Sequence, residues 1–392
     1  MRVLVTGIGV ISSIGNNKNE YFQNLCDGIC GVREVQMDFP FHKKRAHLIP
    51  SHNNMASLKN RMIKIAIKAA KQAFADANLM DSDALLMGTV SAMFAQFEKE
   101  YIENQGNIKA INDGLSCIQK QELCNLVAEH LNIKGARNTI DTACASGTTA
   151  VGYGYRLIKR KRASVILCGG IDMFRILSHI GLSAMRIIAS DFEKPFDQDR
   201  RGILIGEGAG FLVLESEEHA RMRNVKGYCY ISGYGQSCDA VDLAHPCHEG
   251  AGMKQAMIKA LVDAKIYPEQ VNYINSHGTG TIFNDKAEMN AIRDIFSENT
   301  NFYVNSIKGA TGHTFGGAGV LEAISTIQTI QHNKIFGTSN LKEKDKEFSH
   351  DNIVGNKTIS TIVNCAISNS FGFGGNNATL VFSKLDKGKE EV

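Results

Sequence analysis

The sequence predicts an α/β protein built from two duplicated halves, residues 1–225 and 226–392. Short apolar, strand-like runs alternate with longer helical patterns along the whole chain. One design occurs twice. Asn138–Thr142 leads into the small-residue run Ala143–Gly154, and Phe302–Ser306 leads through a short loop into Gly312–Gly317. No low-complexity segment or long linker divides the chain.

The elements follow in order. Val3–Ile11 reads as a buried strand with a glycine turn, and Leu58–Asn78 as a helix with Ile63, Ile67, Ala70 and Phe74 at helical spacing. Leu85–Val90 is a short strand, Gln121–Leu131 a helix, Asn138–Thr142 extended. The run Ala143–Gly154 is helical and merges into Tyr155–Ile158. Val165–Cys168 is a strand, Phe192–Gly210 mostly loop, Gly210–Glu215 a strand and Glu217–Asn224 a helix. The second half opens with the strand Lys226–Gly235. Ala251–Ala264, Asp285–Phe296 and Gly316–His332 are its helices. Val271–Asn275, Val304–Ser306, Thr361–Ile367 and Ala378–Phe382 are its remaining strands, the last two around a glycine turn.

Composition excludes several classes. Hydrophobic residues at 43% and charged residues at 21% are ordinary for a water-soluble globular chain, and 392 residues can bury a core without metal or disulfide staples. A net charge of +3 with no basic-aromatic cluster argues against nucleic acid. The basic run Lys159–Arg162 reads as a helix end, with an acidic-partner patch as the alternative. No apolar stretch reaches membrane-spanning length and no charged-then-apolar leader opens the chain. Ten scattered cysteines then predict free thiols in the reducing cytoplasm. Cys26 and Cys30 lack a matching pair at metal spacing, and Pro246 between His245 and His248 argues for a loop, so no metal is expected.

Three side chains carry candidate chemistry. Cys144 lies just before the small-residue helix, whose start offers free N–H groups and a dipole that favour thiolate. Standing alone it reads as a small core thiol. His277 follows a strand in Asn275–Thr281, and His313 follows another in Lys308–His313. Each alone reads as a loop histidine. Together, a cysteine and two histidines at strand exits can take an acyl group on sulfur and stabilise an oxyanion on a second one. The glycine-rich turn Asn369–Asn377 can aim N–H groups at an anion, although the chain has no Gly-Lys-Ser/Thr phosphate signature.

Seven segments in this order resemble the β-ketoacyl-acyl-carrier-protein synthases of the thiolase-like superfamily, most closely the elongating type II enzymes. They are Val5–Gly9, Asp141–Gly147, Lys194–Arg200, Gly206–Gly210, His277–Thr281, Lys308–His313 and Phe371–Gly375. The resemblance spans nearly the whole chain. It implies a five-layered αβαβα fold and an acyltransferase that performs decarboxylative Claisen condensation in fatty-acid or type II polyketide and polyene biosynthesis. It also implies residue roles: Cys144 carries the acyl chain, and His277 and His313 donate to the malonyl thioester carbonyl. The N–H groups of Cys144 and Phe373 form the oxyanion hole, with Phe373 also a gate. Lys308 orients the site, with Glu322 in its charge network. Thr279 and Thr281 bond the phosphopantetheine arm, and Phe371 lies beside it. Asp285 and Glu288 resemble positions near the site, although charges in a first helical turn explain them equally. No cofactor is implied, because substrates ride on the phosphopantetheine of an acyl carrier protein. The implied partners are that carrier and a second copy, or a homologous chain-length factor in a heterodimer.

The chain departs from the elongating pattern at three places. Gly88–Met93, including Ser91, replaces a glycine-rich stretch that lines the acyl pocket. Leu182 stands where a phenylalanine near the malonyl group is frequent. Ala244-His245-Pro246 replaces a hydroxyl-bearing run along the pantetheine arm. These departures point to a specialised pathway and are compatible with a chain-length-factor partner. A thiolase would need a second catalytic cysteine near the C-terminal turn. Cys365 is close, but Asn369–Gly375 follows the synthase pattern. A non-catalytic partner subunit would lack the nucleophile.

Overall fold

The structure is a computed structural model, and it describes residues 1–35, 44–50, 58–91, 98, 104, 121–299, 301–349 and 351–386. Its main sheet has ten strands. In the first half these are β1 (Val3–Ser12), β2 (Ala84–Gly88), β3 (Ala136–Ile140), β4 (Val165–Asp172) and β5 (Gly208–Ser216). In the second they are β6 (Cys229–Cys238), β7 (Tyr273–Asn275), β8 (Tyr303–Asn305), β9 (Cys365–Gly372) and β10 (Asn376–Lys384). The spatial order is β8-β7-β9-β10-β6-β1-β5-β4-β2-β3. Each half therefore repeats one pattern outward from the centre. Its first strand pairs antiparallel with its fifth, the fifth antiparallel with its fourth, and the last two pairings are parallel. The halves join where β1 meets β6 antiparallel, with Val3 opposite Ile231.

Six helices complete five layers: α1 (Leu58–Ala77), α2 (Glu122–His130), α3 (Ser146–Lys159), α4 (Ala251–Ala264), α5 (Ile282–Phe296) and α6 (Ala318–His332). Helices α1 and α2 cover the outer face of the first half-sheet, α4 and α5 that of the second, and α3 and α6 lie between the two. The two-residue strand period makes this possible. On β5, Leu212 and Leu214 enter the central core while Phe211 and Val213 face α1. On β10, Leu380 and Phe382 face the centre and Val381 the outside. Helix α6 is buried on every side from Ala318 to Ile330, which marks an interior helix. Burying one such isoleucine contributes roughly 1.5–3 kcal/mol.

Most expected elements occur within a few residues of their predicted bounds. The strand expected at Val165–Cys168 runs on to Asp172, and the last hairpin extends to Gly372 and Asn376. Three short helices were not expected, Lys18–Cys26, Ile176–Ala184 and the single turn Lys308–Thr311. The first buries only Tyr21, Phe22 and Leu25, so its period is faint. Its one clear sequence signal is Asn17, whose side chain caps Asn19 and Glu20. Lys159 ends α3 and pairs with Asp263 at 2.7 Å, which fits the helix-end reading of the basic run. Among the described residues no helix is long and apolar enough to cross a membrane, and nine cysteines are free thiols.

Candidate active site

Cys144 sits in a tight turn between β3 and α3, two residues before the helix, as the sequence places it. The preceding Ala143 is left-handed, at φ +50°, a strained conformation for a residue with a side chain. Local bonds hold it there: Thr142 N–H donates to Ser146 Oγ at 2.9 Å, and the Ser146 hydroxyl to the Ala143 carbonyl at 2.5 Å. Across the turn lies Gly372, where a Cβ would stand 2.9 Å from Cys144 N, so β9 can approach only as glycine. The expected low thiol pKa is not found. Cys144 is 5% exposed, and burial pushes its pKa up to about 11. The Phe373 N–H and the Lys308 charge oppose that shift but do not offset it.

Both histidines face this sulfur. Cys144 Sγ and one ring nitrogen from each of His277 and His313 lie within 4.8 Å of one another. The two rings meet edge-on at 5.3 Å. His313 Nδ1 accepts the Phe315 N–H at 3.1 Å, and the Phe315 ring stacks on the imidazole at 5.0 Å. The Lys308 ammonium, a donor only, lies 3.2 Å from His277 Nδ1. Each Nδ1 is therefore an acceptor, which leaves each neutral ring with its proton on Nε2. Burial holds both imidazoles well below the ordinary histidine range, and the nearby Lys308 charge lowers them further. The result is a pair of neutral N–H donors beside a thiol.

Charged groups behind the rings fix the loops. Lys308 is fully buried and bonds both Glu322 and the His277 carbonyl. Glu322 continues to the Ser370 hydroxyl at 3.1 Å, and Ser370 to Thr148 at 2.7 Å. Glu288 accepts the N–H groups of His277 and Gly278, both at 2.8 Å. Asp285 accepts those of Gly280 at 3.1 Å and Phe196 at 2.9 Å. Neither carboxylate is a solvated first-turn charge, because both are fully buried. Burial raises both, Glu288 to about 7.

The trio opens into a cavity of about 480 Å³. Thr279, Thr281, Phe371 and Phe373 line it, and the two threonine hydroxyls are 2.9 Å apart. Ala244, His245 and Pro246 form part of its rim. Two candidates stand elsewhere. Leu182 does not line the cavity, but it shares a hydrophobic cluster with Phe174, Ile188 and Ile203, of which Ile203 forms part of the cavity wall. Ser91 donates its hydroxyl to Asp172 at 2.6 Å and does not line this cavity, while Ala92 and Met93 fall outside the described residues. Phe315, Phe283 and Arg186 also line the cavity and were not singled out. Only the step Thr314–Phe315 beside His313 gave a local sequence signal.

Cys144, His277 and His313 could in principle ligate a zinc-like ion. The Lys308 ammonium bonded to His277 would repel such a cation, so acyl chemistry is the better use of the set. A thiol facing two neutral N–H donors can accept an acyl group and then stabilise negative charge on a carbonyl oxygen next to it.

Known proteins resemble the chain over nearly its whole length. The chain matches the β-ketoacyl synthase N-terminal domain over residues 1–220 and the C-terminal domain over residues 228–342. It is 34% identical to 3-oxoacyl-[acyl-carrier-protein] synthase 2 of Synechocystis, covering 98% of each chain. It is 31% identical to the mitochondrial 3-oxoacyl-[acyl-carrier-protein] synthase of Arabidopsis thaliana, covering 98% of this chain and 93% of that one. Among solved structures, the ishigamide ketosynthase/chain length factor superposes with a TM-score of 0.90 at 32% identity, over 98% of this chain and 99% of that one. A type II polyketide ketosynthase solved with its acyl-carrier protein and a hexaketide gives 0.90 at 27% identity with the same coverage. The chain belongs to the β-ketoacyl synthase family.

Proposed function

We propose that this chain is a condensing acyltransferase, a β-ketoacyl-acyl-carrier-protein synthase of fatty-acid or polyketide biosynthesis, with Cys144 as the acyl carrier. The observation that carries this reading is the convergence of Cys144 Sγ with the two histidine nitrogens within 4.8 Å. In the first half-reaction Cys144 Sγ attacks the thioester carbonyl of an acyl carrier protein. The carrier sulfur leaves and takes the thiol proton. The N–H groups of Cys144 and Phe373, which face the sulfur and lower its pKa, hold the oxyanion. In the second, the Nε2–H groups of His277 and His313 bond the malonyl thioester oxygen. The bond to the carboxylate breaks, CO2 leaves, and its electron pair remains as an enolate. That carbon attacks the Cys144 thioester, Sγ departs as thiolate, and a proton from water restores the thiol. Oxidation state is unchanged, so the reading requires no cofactor or metal.

Thr279 and Thr281 on the cavity wall are suited to the amide groups of the phosphopantetheine arm, and Phe373 at the mouth to a gate. The free thiols fit a cytoplasmic location. A heterodimer is the second reading, and the likeness to a ketosynthase/chain length factor favours it. The test is to supply purified protein with acyl-carrier and malonyl-carrier substrates. CO2 release and a β-ketoacyl product are expected, with a mass shift on Cys144. Product formation by Cys144→Ala would overturn the proposal. Purification from the native cell, followed by mass analysis of the assembly, separates homodimer from heterodimer.

A further inference from the structure

We propose that Asp172 is a positioning residue for the decarboxylation step. It fixes the Phe315–Gly316 peptide, and through Phe315 the tautomer and aim of His313. The inference rests on the reading of His313 as a donor to the malonyl carbonyl.

Asp172 ends β4, is fully buried, and does not line the cavity. Five donors converge on its carboxylate. Oδ2 accepts the Gly316 N–H at 2.7 Å and the Val90 N–H at 3.0 Å. Oδ1 accepts the Ser91 N–H at 3.0 Å, the Ser91 hydroxyl at 2.6 Å and the Thr89 hydroxyl at 2.9 Å. One buried carboxylate thus ties the turn after β2 in the first half to the turn before α6 in the second. A carboxylate has about four lone-pair sites, and this number of donors uses them all.

The grip on Gly316 matters because of the residue before it. Phe315 is left-handed, at φ +42°, which a residue with a side chain rarely adopts unless its surroundings enforce it. Gly316 leaves no latitude on the other side, because a Cβ there would stand 2.6 Å from Thr89 Cα and 2.9 Å from Asp172 Oδ2. Held in this way, Phe315 turns its own N–H to His313 Nδ1 at 3.1 Å and lays its ring on the imidazole. Released, Phe315 would relax toward negative φ and take its N–H away from Nδ1. His313 could then carry its proton on either nitrogen. The fraction with an Nε2–H donor beside Cys144 would fall, although no group touching the substrate had been changed.

The test is Asp172→Asn, which keeps the size of the side chain but replaces one acceptor oxygen with a donor. Acyl transfer to Cys144, followed by mass spectrometry, should stay within about threefold of the wild type. Decarboxylation of malonyl carrier should lose at least about tenfold in kcat, part of what removing an oxyanion donor costs, with KM little changed. The readout specific to positioning is 15N NMR of histidine-labelled protein, with His313 assigned from the spectrum of His313→Ala. In the wild type its Nδ1 should be unprotonated, and in Asp172→Asn the signal should move toward a tautomer mixture. Normal decarboxylation by Asp172→Asn, or equal loss of both half-reactions with the tautomer unchanged, would overturn the proposal. A protonated Nδ1 in the wild type would overturn it even if the variant did not fold. His313→Ala run in parallel separates the two levels. Normal decarboxylation there would sink the assignment of His313 itself, whereas a defect there with a normal Asp172→Asn would sink only the clamp.

Discussion

Replacing Lys308 with methionine removes both the cation bonded to Glu322 and the donor to His277 Nδ1, from a site where the two charged side chains are 1% and 0% exposed. Removing one partner of a buried pair costs about 3–5 kcal/mol. The loss should depend on pH in a calculable way. Burial already raises the Glu322 carboxyl, and Lys308 is the largest opposing influence. Without Lys308 the folded carboxyl titrates higher still. A raised folded pKa contributes stability that is complete below the unfolded value and disappears as pH climbs through the folded one. Relative to the wild type, the deficit of Lys308→Met should therefore be smallest in acid, open only above the pH at which the wild-type carboxyl ionises, and grow by up to about 1.4 kcal/mol per pH unit until the variant's own carboxyl ionises. Adding Glu322→Gln removes the stranded charge and should restore most of that stability. It should not restore decarboxylation, because methionine offers no donor to Nδ1. That step should remain about 10²–10³-fold down, comparable to losing one oxyanion donor. Urea unfolding between pH 5 and 7.5, alongside CO2 release from malonyl carrier, measures both quantities. A stability loss that is flat with pH, or a double variant that recovers decarboxylation, would refute the reasoning.

Three further outcomes are expected. With burial holding Cys144 near pKa 11, its iodoacetamide alkylation should rise about tenfold per pH unit from pH 7 to 10, and a plateau below pH 8 would show a thiolate instead. Glu288, raised to about 7, contributes stability that is full below about pH 4.5 and lost as pH rises to 7. Glu288→Gln should flatten a slope worth about 3 kcal/mol in denaturant titrations, and an unchanged slope would assign it to other groups. Gly372→Ala places a Cβ 2.9 Å from Cys144 N and should slow acylation of the thiol at least about tenfold and also lower the melting temperature, because the clash is with buried backbone at the reacting residue. Acylation at the wild-type rate would mean that β9 yields at no expense.

The strand and helix pattern was readable because each element keeps one period over several residues, as in Ala251–Ala264, found at its predicted bounds. The helices Lys18–Cys26 and Ile176–Ala184 escaped because they are short and lie against neighbours that the local pattern does not identify. Cys144, His277 and His313 were nominated individually as loop or pre-helix residues, each with an ordinary alternative. What no local segment could show is that these three residues, distant in the chain, meet within 4.8 Å. The thiol's protonation could not be read at all. A helix start argues for thiolate, but the side chain is buried, and burial outweighs that influence. Asp285 and Glu288 kept a first-turn helix charge as an equal alternative for the same reason, since burial is not a local property.

The type of the longer elements and the residues with reactive groups were legible in the sequence alone, because periodicity, glycine placement and side-chain chemistry are local; the repeated half was only suggested by it. Tertiary structure decided what those groups are. The pairing of the halves makes His277 and His313 neutral donors by directing Lys308 and the Phe315 N–H at their Nδ1 atoms. It also makes Cys144 a protonated thiol in the free protein, since desolvation by residues far along the chain outweighs every nearby favourable charge.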